Sequence, residues 1–258
     1  DLGAEKFFDI KCRTAGLKPA CAVLVATVRA LKYNGGVKKD ELTVENLKAL
    51  EWGLSNLGAH LENLGKFGVP VVVAINRFAT DTDSELQLIK TFAESRGAAA
   101  VLNETFAKGG EGGIELARAV VDACRFENNF KPIYDTNLPV KDKILKIAAE
   151  VYGADGVDYS PAAEKQITEI AQLGMDGLPV CIAKTQYSLS DNMNLLGRPK
   201  NFRISIREVR LSSGAGFVVA LAGDIMTMPG LPRRPSAEVI DIDENGRKRK
   251  IPSAQAGK

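Results

Sequence analysis

Apolar runs of two different periods alternate along the first half of the chain, and this alternation constrains the fold more than any other feature. Some runs are β-branched and almost uninterrupted, which is typical of strands buried on both faces. Between them lie segments with apolar residues three or four positions apart, which is typical of helices packed on a sheet. The predicted strands are 22–31, 69–76 and 98–103, and the predicted helices are 41–67, 82–96 and 114–126. This order predicts right-handed βαβ crossovers and an α/β fold, with a mainly parallel sheet and flanking helices.

The second half of the chain is predicted to add two helices, a buried strand and a small antiparallel C-terminal part. The helices are 140–152 and 161–173, and the strand is 178–184. Residues 202–211 alternate strictly between apolar and polar, and a Ser-Ser-Gly-Ala turn separates them from the apolar run 216–222, so we expect a hairpin with one face in water.

Proline, glycine and charge mark three irregular segments. Two prolines and the lack of any period make 128–139 the best candidate for a linker. The sequence Pro-Gly-Leu-Pro at 229–232 predicts a type II turn. The polar and basic end, 246–258, is expected to be poorly ordered.

Composition excludes several classes of protein. Of the 258 residues, 45% are hydrophobic and 26% charged, which is typical of a globular domain and not of a disordered or membrane-spanning chain. The 34 Lys and Arg nearly cancel the 32 Asp and Glu, so there is no overall electrostatic case for a nucleic-acid or membrane partner. The chain begins at Asp1 with no targeting pattern, so we expect a processed or excerpted piece.

Cysteine and histidine usage narrows the chemistry further. The four cysteines form no C-x-x-C pair, so we interpret them as small core residues of a protein in the reducing cytoplasm; they are Cys12, Cys21, Cys124 and Cys181. A single histidine, His60, argues against a Ser-His-Asp triad and against a catalytic zinc site. If the protein is an enzyme, charge and positioning are expected to do its chemistry.

The segments that directly follow the second and third predicted strands are the richest in functional residue types. Ligands of open α/β sheets bind beyond the carboxyl ends of the strands. If the two strands are neighbours, Phe78 and Phe106 leave the sheet at equivalent positions, and their rings could stack on a flat heterocycle. The alternative is that both rings pack under their own loops as ordinary core.

The second of these segments also contains a glycine-rich run. Its sequence is Lys-Gly-Gly-Glu-Gly-Gly, and it leads into a helix at Ile114. Its backbone N–H groups could form an anion site with Lys108 alongside, or the run could be an ordinary mobile loop. In the first segment, Asp81 and Asp83 are expected to cap the next helix. The motif G-x-x-x-x-G-K-[ST], which cradles a triphosphate, does not occur in these residues.

Six segments, in order along the chain, resemble one family, the formate–tetrahydrofolate ligases, also called 10-formyltetrahydrofolate synthetases. The most specific of them is VATVRALKYNGG at 25–36. The others are DLGAEKFFDIKCR at 1–13, FGVPVVVAINRFATDTD at 67–83, AKGGEGG at 107–113, AKTQYSLSDN at 183–192 and GDIMTMPGLP at 223–232. The resemblance covers residues 1–246 and corresponds to the carboxyl-terminal half of the family; the end, 247–258, does not resemble it.

The resemblance implies a reaction and a set of ligands. In the family, formate attacks the γ-phosphate of MgATP to give formyl phosphate, and N10 of tetrahydrofolate then accepts the formyl group. ATP, Mg²⁺, tetrahydrofolate as a substrate and a monovalent cation are therefore the implied ligands, and a homotetramer is the implied assembly. The resemblance implies a P-loop NTPase-like fold, and the family's P-loop lies upstream of the residues matched here. The missing amino-terminal half is therefore an expected partner.

The resemblance also implies the binding residues. An aromatic pair that clamps the pterin falls on Phe78 and Phe106, with an apolar contact at Leu102, and we add Asn76 and Lys108 as candidate binding residues. No catalytic residue and no metal ligand is assigned to this part. The second clamp position is usually Trp in the family; the smaller Phe106 predicts weaker stacking.

The predicted domains follow from the resemblance. Residues 1–60 would end a nucleotide-binding domain, 61–200 would form an α/β folate-binding domain, and 201–258 a small β-containing region. Two functions stay open at this point: one half of an ATP-dependent ligase, or a non-catalytic folate-binding or assembly module derived from it.

Overall fold

The computed structural model describes residues 2–225, 235, 238 and 240–250. The chain divides into two compact units, Asp1–Ile225 and Met226–Lys258. The turn predicted at 229–232 and the last residues of the basic end, 251–258, lie outside the described residues. The predicted boundaries at 60/61 and 200/201 stay a prediction.

The described elements alternate as expected in the first half of the chain. The helices are α1 (Leu2–Lys6), α2 (Arg13–Ala15), α3 (Val28–Asn34), α4 (Leu47–Lys66), α5 (Asp83–Ser95), α6 (Thr105–Lys108), α7 (Ile114–Ala123), α8 (Val140–Ile147) and α9 (Pro161–Gln172). The strands are β1 (Ala22–Ala26), β2 (Val71–Asn76), β3 (Ala99–Asn103), β4 (Gly156–Tyr159), β5 (Val180–Ala183), β6 (Arg203–Ser212), β7 (Phe217–Ala222), β8 (Ile240–Ile242) and β9 (Lys248–Lys250). π-Helical turns at Phe7–Cys12 and Ala148–Tyr152 extend α1 and α8, and 3-10 turns lie at Lys39–Glu41, Gly109–Gly113 and Ser213–Ala215. No described helix combines the length and the apolar content that crossing a bilayer requires.

The first sheet is parallel, as predicted, with the strand order β1-β2-β3. Its core lies between one face of the sheet and the helices α3, α4 and α5, with Val73, Ile75 and Ala100 on that face. The strand predicted at 22–31 is too long. Thr27 ends it, because the Thr27 hydroxyl accepts a hydrogen bond from the Ala30 N–H and caps α3.

The later strands do not extend this sheet; they form a second, mixed one. Its order is β4-β6-β7-β5, in which β6 and β7 pair antiparallel, while β4 and β5 run parallel to their neighbours. The expected hairpin is therefore present as β6 and β7, but inside a larger sheet. The predicted strand at 178–184 is β5 of this sheet, and the four-residue β4 was not predicted at all.

The segment 128–139 is not a linker, because its residues pack against the first helical turns of the chain and against the start of β5. Tyr134 is only 4% exposed, and its hydroxyl accepts a hydrogen bond from the Val180 N–H at the start of β5. The buried Asp9 carboxylate, in the first turns of the chain, accepts a hydrogen bond from the Ile133 N–H at 2.9 Å. The segment is irregular because it makes these contacts instead of a regular element.

The smaller unit contributes one two-stranded antiparallel sheet, β8 and β9. Residues 248–250 of the basic end therefore form a strand, in contrast to the disorder expected for them.

Candidate functional site

The carboxyl ends of β2 and β3 meet at one edge of the first sheet, which we call the carboxyl edge. Asn76 and Asn103, the last residues of the two strands, lie opposite each other, and the Asn103 side-chain amide donates to the Asn76 oxygen at 3.2 Å. The Arg77 N–H then donates to the Asn103 carbonyl, which continues the pairing by one residue. The segments that hold Phe78 and Phe106 therefore leave the sheet side by side, as the parallel order predicts.

A cleft of about 680 Å³ opens beside this edge, between α5 and the segment that follows β3. Its size lies in the range of small-molecule sites, which is about 300–1,000 Å³. Leu102, Leu86 and Ile75 form its apolar part, and Glu104 and Lys108 are among its charged residues. Of the five predicted binding residues, Leu102 and Lys108 line the cleft, whereas Asn76, Phe78 and Phe106 lie at the same edge outside its lining.

Phe106 projects into solvent from α6, a helix of four residues. The side chain is 99% exposed, more than any other large hydrophobic residue among those described, so it is not the ordinary core residue of the alternative interpretation. Lys108, on the same short helix, lines the cleft. An aromatic ring that the fold leaves uncovered at the rim of a cleft is a candidate for contact with a ligand.

Phe78 is half-buried and belongs to none of the hydrophobic clusters of the described residues. Its neighbour is Arg29, whose guanidinium carbon lies 4.4 Å from the ring centroid. The backbone of the turn is held by Asp81, because the Phe78 N–H donates to the Asp81 carboxylate at 2.8 Å and the Asp81 N–H donates to the Phe78 carbonyl. Burial raises the pKa of this carboxyl, and the hydrogen bond from Phe78 opposes the rise.

The helix caps near Phe78 differ from those predicted. Thr82, and not Asp81 or Asp83, caps α5, and it forms a capping box with Glu85. Asp83 instead lies in the first turn and forms an ion pair with Arg77 at 3.1 Å. The sequence signal was present in Thr-Asp-Ser-Glu, since Thr followed three residues later by Glu is the capping-box pattern.

The glycine-rich run packs closely against the residues that precede it. A Cβ on Gly112 would lie 2.5 Å from the Glu104 carbonyl, and the Glu104 N–H donates to the Gly112 carbonyl at 3.1 Å. Lys108 forms an ion pair with the Glu104 carboxylate at 2.6 Å, and this contact, helped by Arg77, lowers the pKa of Glu104. The glycine at 112 is therefore needed for close packing, a role that neither sequence interpretation included.

Sequence reasoning missed the ion pairs of Arg77, one of which joins the two segments. Arg77 reaches Asp83 at 3.1 Å and Glu104 at 3.6 Å, so it connects the turn after β2 to the segment after β3. The pair with Asp83 forms within the segment after β2, whereas the pair with Glu104 follows only from the adjacency of β2 and β3. The described residues include no group of three or more His, Cys, Asp or Glu side chains arranged to hold a metal ion.

Comparison with protein families gives a match that spans nearly the whole chain. The family described as formate–tetrahydrofolate ligase matches residues 1–251 of the 258. The match includes both strands of the carboxyl edge, the cleft and both aromatic residues beside it. This chain therefore belongs to the formate–tetrahydrofolate ligase family.

Proposed function

We propose that this chain binds tetrahydrofolate at the carboxyl edge, as the folate-binding part of an ATP-dependent ligase. In the proposed reaction a formate oxygen attacks the γ-phosphorus of ATP and ADP leaves. N10 of tetrahydrofolate then attacks the carbon of formyl phosphate, and phosphate leaves as 10-formyltetrahydrofolate forms. The family match supports the substrates, formate, ATP and tetrahydrofolate.

The observation that carries the proposal is the uncovered ring of Phe106 beside the cleft. Exposing a whole aromatic side chain to water costs about 1.5–3 kcal/mol relative to burying it, so a ligand that covers the ring gains this energy on binding. A pterin is flat, and it can stack on one ring while part of it contacts the apolar side chain of Leu102. Phe78 would supply the second ring of the clamp.

The remaining side chains of the edge have positioning roles in this proposal. Arg77 and Lys108 are paired with carboxylates, so they hold the two segments in place and do not offer a free charge to the ligand. Asn76 and Asn103 fix the spacing of the two strand ends. The apolar part of the cleft excludes water from one side of the bound ring.

The phosphate chemistry is assigned to residues outside this chain. ATP would supply the phosphoryl group that activates formate, but the 258 residues contain no G-x-x-x-x-G-K-[ST] cradle. The described residues offer no cluster of metal ligands, so we derive no step through Mg²⁺ or a monovalent cation. The missing cradle favours, as the second candidate, a non-catalytic folate-binding or assembly module. In either case we propose that the folate-binding unit assembles with a nucleotide-binding part and with further copies of itself.

The test is tetrahydrofolate binding by the chain and by matched variants, measured by calorimetry under anaerobic conditions. Phe106→Ala is expected to weaken binding about three- to tenfold, since an aromatic stacking pair contributes about 0.5–1.5 kcal/mol. The unfolding temperature should not change, because the ring makes no core contact. Phe106→Trp should bind more tightly than the original chain, because the indole offers more stacking area.

The matched control is Phe126→Ala, which removes a second exposed ring, 70% exposed, just after α7. Its affinity for tetrahydrofolate should stay within twofold of the original. If Phe106→Ala binds as tightly as the control, or if the original chain does not bind tetrahydrofolate at all, the proposed site is wrong.

A further inference from the structure

Arg29 lies beside the carboxyl edge, and it falls within the family segment at 25–36, although no role was predicted for it from the sequence. It is in the first turn of α3, directly after β1, and β1 is the parallel neighbour of β2. Because β1 and β2 are neighbours, Arg29 lies against the ring of Phe78, although the two residues are 49 positions apart in the sequence. The guanidinium carbon is 4.4 Å from the ring centroid. The same guanidinium donates to the Thr80 hydroxyl at 3.3 Å, in the turn that follows Phe78.

Arg29 differs from the other cationic side chains near this edge in its ion pairing. The segments that follow the three strands, 27–34, 77–82 and 104–113, contain four cationic side chains. Lys32 pairs with Glu85 at 2.8 Å, Arg77 with Asp83 at 3.1 Å and Lys108 with Glu104 at 2.6 Å. Among the described residues, Arg29 has no carboxylate within 4 Å, and its buried Nε–H donates to no acceptor.

The half-buried guanidinium therefore contacts the ring and Thr80 and forms no ion pair within 4 Å with the described residues, although its charge opposes the rise that burial causes in the pKa of Asp81 in the same turn. A guanidinium over an aromatic face is attracted by the ring quadrupole, and its planar shape stacks on the ring. The backbone of Phe78 is already held by Asp81, but those two hydrogen bonds do not fix the rotation of the side chain. Arg29 covers one face of the ring.

We propose that Arg29 is a positioning residue of the tetrahydrofolate site: it stacks on one face of Phe78 and presents the opposite face to the ligand. This inference rests on the proposed function, because it concerns the same ring. It adds that the ligand stacks on a single face of Phe78, and that the α3 segment after β1 is part of the site. Arg29 acts through Phe78, so it does not contact the pterin itself.

The test is a double-variant cycle of Arg29 and Phe78, with tetrahydrofolate as the probe and anaerobic calorimetry as the assay. Arg29→Met in the full chain is expected to weaken binding about three- to tenfold. Arg29→Lys should be nearly as weak, because a Lys ammonium keeps the charge but lacks the flat face. In a Phe78→Ala background, Arg29→Met should have no further effect, since the ring that it positions is gone.

The control is Arg96→Met, which removes the same kind of contact away from the site. Arg96 stacks on Phe92 of α5 with its guanidinium carbon 4.8 Å from the ring centroid, and it also pairs with Glu62. This variant should bind tetrahydrofolate within twofold of the original chain. Thermal unfolding of every variant separates a loss of folded protein from a loss of affinity.

The outcomes distinguish this inference from the proposed function. If the original chain binds and Phe78→Ala weakens binding, but Arg29→Met does not, the site stands and the role of Arg29 is wrong. If Arg29→Met weakens binding equally with and without the Phe78 ring, or if Arg29→Lys restores full affinity, Arg29 acts on the ligand through its charge and the positioning role is wrong. If Phe78→Ala leaves binding unchanged, the clamp itself is refuted, and the inference with it.

Discussion

The buried ion pair between Lys32 and Glu85 holds together three segments below the carboxyl edge. Lys32 is 1% exposed and Glu85 fully buried, and Lys32 Nζ lies 2.8 Å from Glu85 Oε1. The same carboxylate accepts hydrogen bonds from the backbone N–H groups of Asn46, before α4, and Thr82, before α5. Lys32 also donates to the Val44 carbonyl. We expect Glu85→Gln to destabilise the fold strongly, because it leaves the Lys32 ammonium buried without a counter-charge.

The magnitude follows from the loss of one partner of a buried pair, which costs about 3–5 kcal/mol. For a unit of this size, each kcal/mol lowers the unfolding temperature by about 2–4 °C. Glu85→Gln should therefore lower it by about 6–20 °C, measured by calorimetry or circular dichroism at pH 7. The double variant Lys32→Met/Glu85→Gln removes both charges, so its loss should be about 2 kcal/mol smaller than the sum of the two single losses.

The pH dependence of the same variant supplies a second measurement. Burial raises the pKa of Glu85, but the hydrogen bonds from Lys32, Thr82 and Asn46 outweigh burial and lower the pKa below its ordinary value near 4.5. A lowered pKa stabilises the fold above pH 4.5, and this contribution is lost as the pH falls through the folded-state pKa. The Glu85→Gln variant should therefore lack the fall in folding stability that the original chain owes to protonation of Glu85 below pH 4.5.

The control for the pair is Lys165→Met, which breaks an exposed ion pair with Glu169 and should change stability by less than about 0.5 kcal/mol. The reasoning is wrong if Glu85→Gln costs less than 1 kcal/mol, or if the two single losses simply add in the double variant.

Three further predictions concern other parts of the chain. Burial raises the pKa of Glu5 to about 8, so the folded chain retains a proton that the unfolded chain releases above pH 4.5, and stability falls between pH 4.5 and 8. Glu5→Gln should be more stable than the original by about 4 kcal/mol at pH 8 and similar to it at pH 4; a less stable variant at pH 8 would contradict this. Burial and the neighbouring exposed thiol of Cys124 raise the pKa of Cys21, so the two thiols lie near each other. Diamide should therefore oxidise this pair to one disulfide and remove two of four free thiols, whereas Cys124→Ser should form no such disulfide on mass analysis. The chain alone, supplied with formate, MgATP and tetrahydrofolate, should form no 10-formyltetrahydrofolate; measurable product in an absorbance assay would reveal a phosphate site within these residues.

Periodicity predicted the elements of the first sheet well, because β1, β2 and β3 alternate with amphipathic helices in a simple order. It placed a boundary wrongly where a strand passes directly into a helix and the residues stay apolar. Val28 and Leu31 continue the apolar run of β1, yet they belong to α3, and only the capping hydroxyl of Thr27 marks the boundary. It also missed β4, a strand of four residues, because so short a run carries no measurable period.

The division into two sheets could not be derived from local pattern. The run 178–184 is as apolar as the strands of the first sheet, and nothing in its sequence says that it pairs with β7. Pairing depends on contacts between residues far apart in the chain, such as the hydrogen bond from the Val180 N–H to Tyr134 in the irregular segment before α8. The cysteines show the same limit: Cys12 is buried as expected, but Cys124 is exposed.

The sequence did locate the edge at which the candidate site lies, since residues directly after parallel strands must meet there. It could not supply the arrangement of charge, because every ion pair at this edge joins two different segments or depends on how one segment folds. Arg77 illustrates this: it lies between Asn76 and Phe78 in a recognisable motif, but its partners Asp83 and Glu104 are fixed by the fold.

The arrangement of charge also limits what the carboxyl edge can recognise. Of the four cations that follow the three strands, three pair with carboxylates, Lys32 with Glu85 just below the edge, and one carboxylate, Glu104, serves both Arg77 and Lys108. A phosphate would have to compete with these pairs for positive charge, and the lowered pKa of Glu104 keeps that carboxylate ionised at neutral pH. Apolar surface and aromatic faces are what the edge leaves available. A flat heterocycle can use both, so this edge suits the pterin of the proposed function better than it suits a phosphate group.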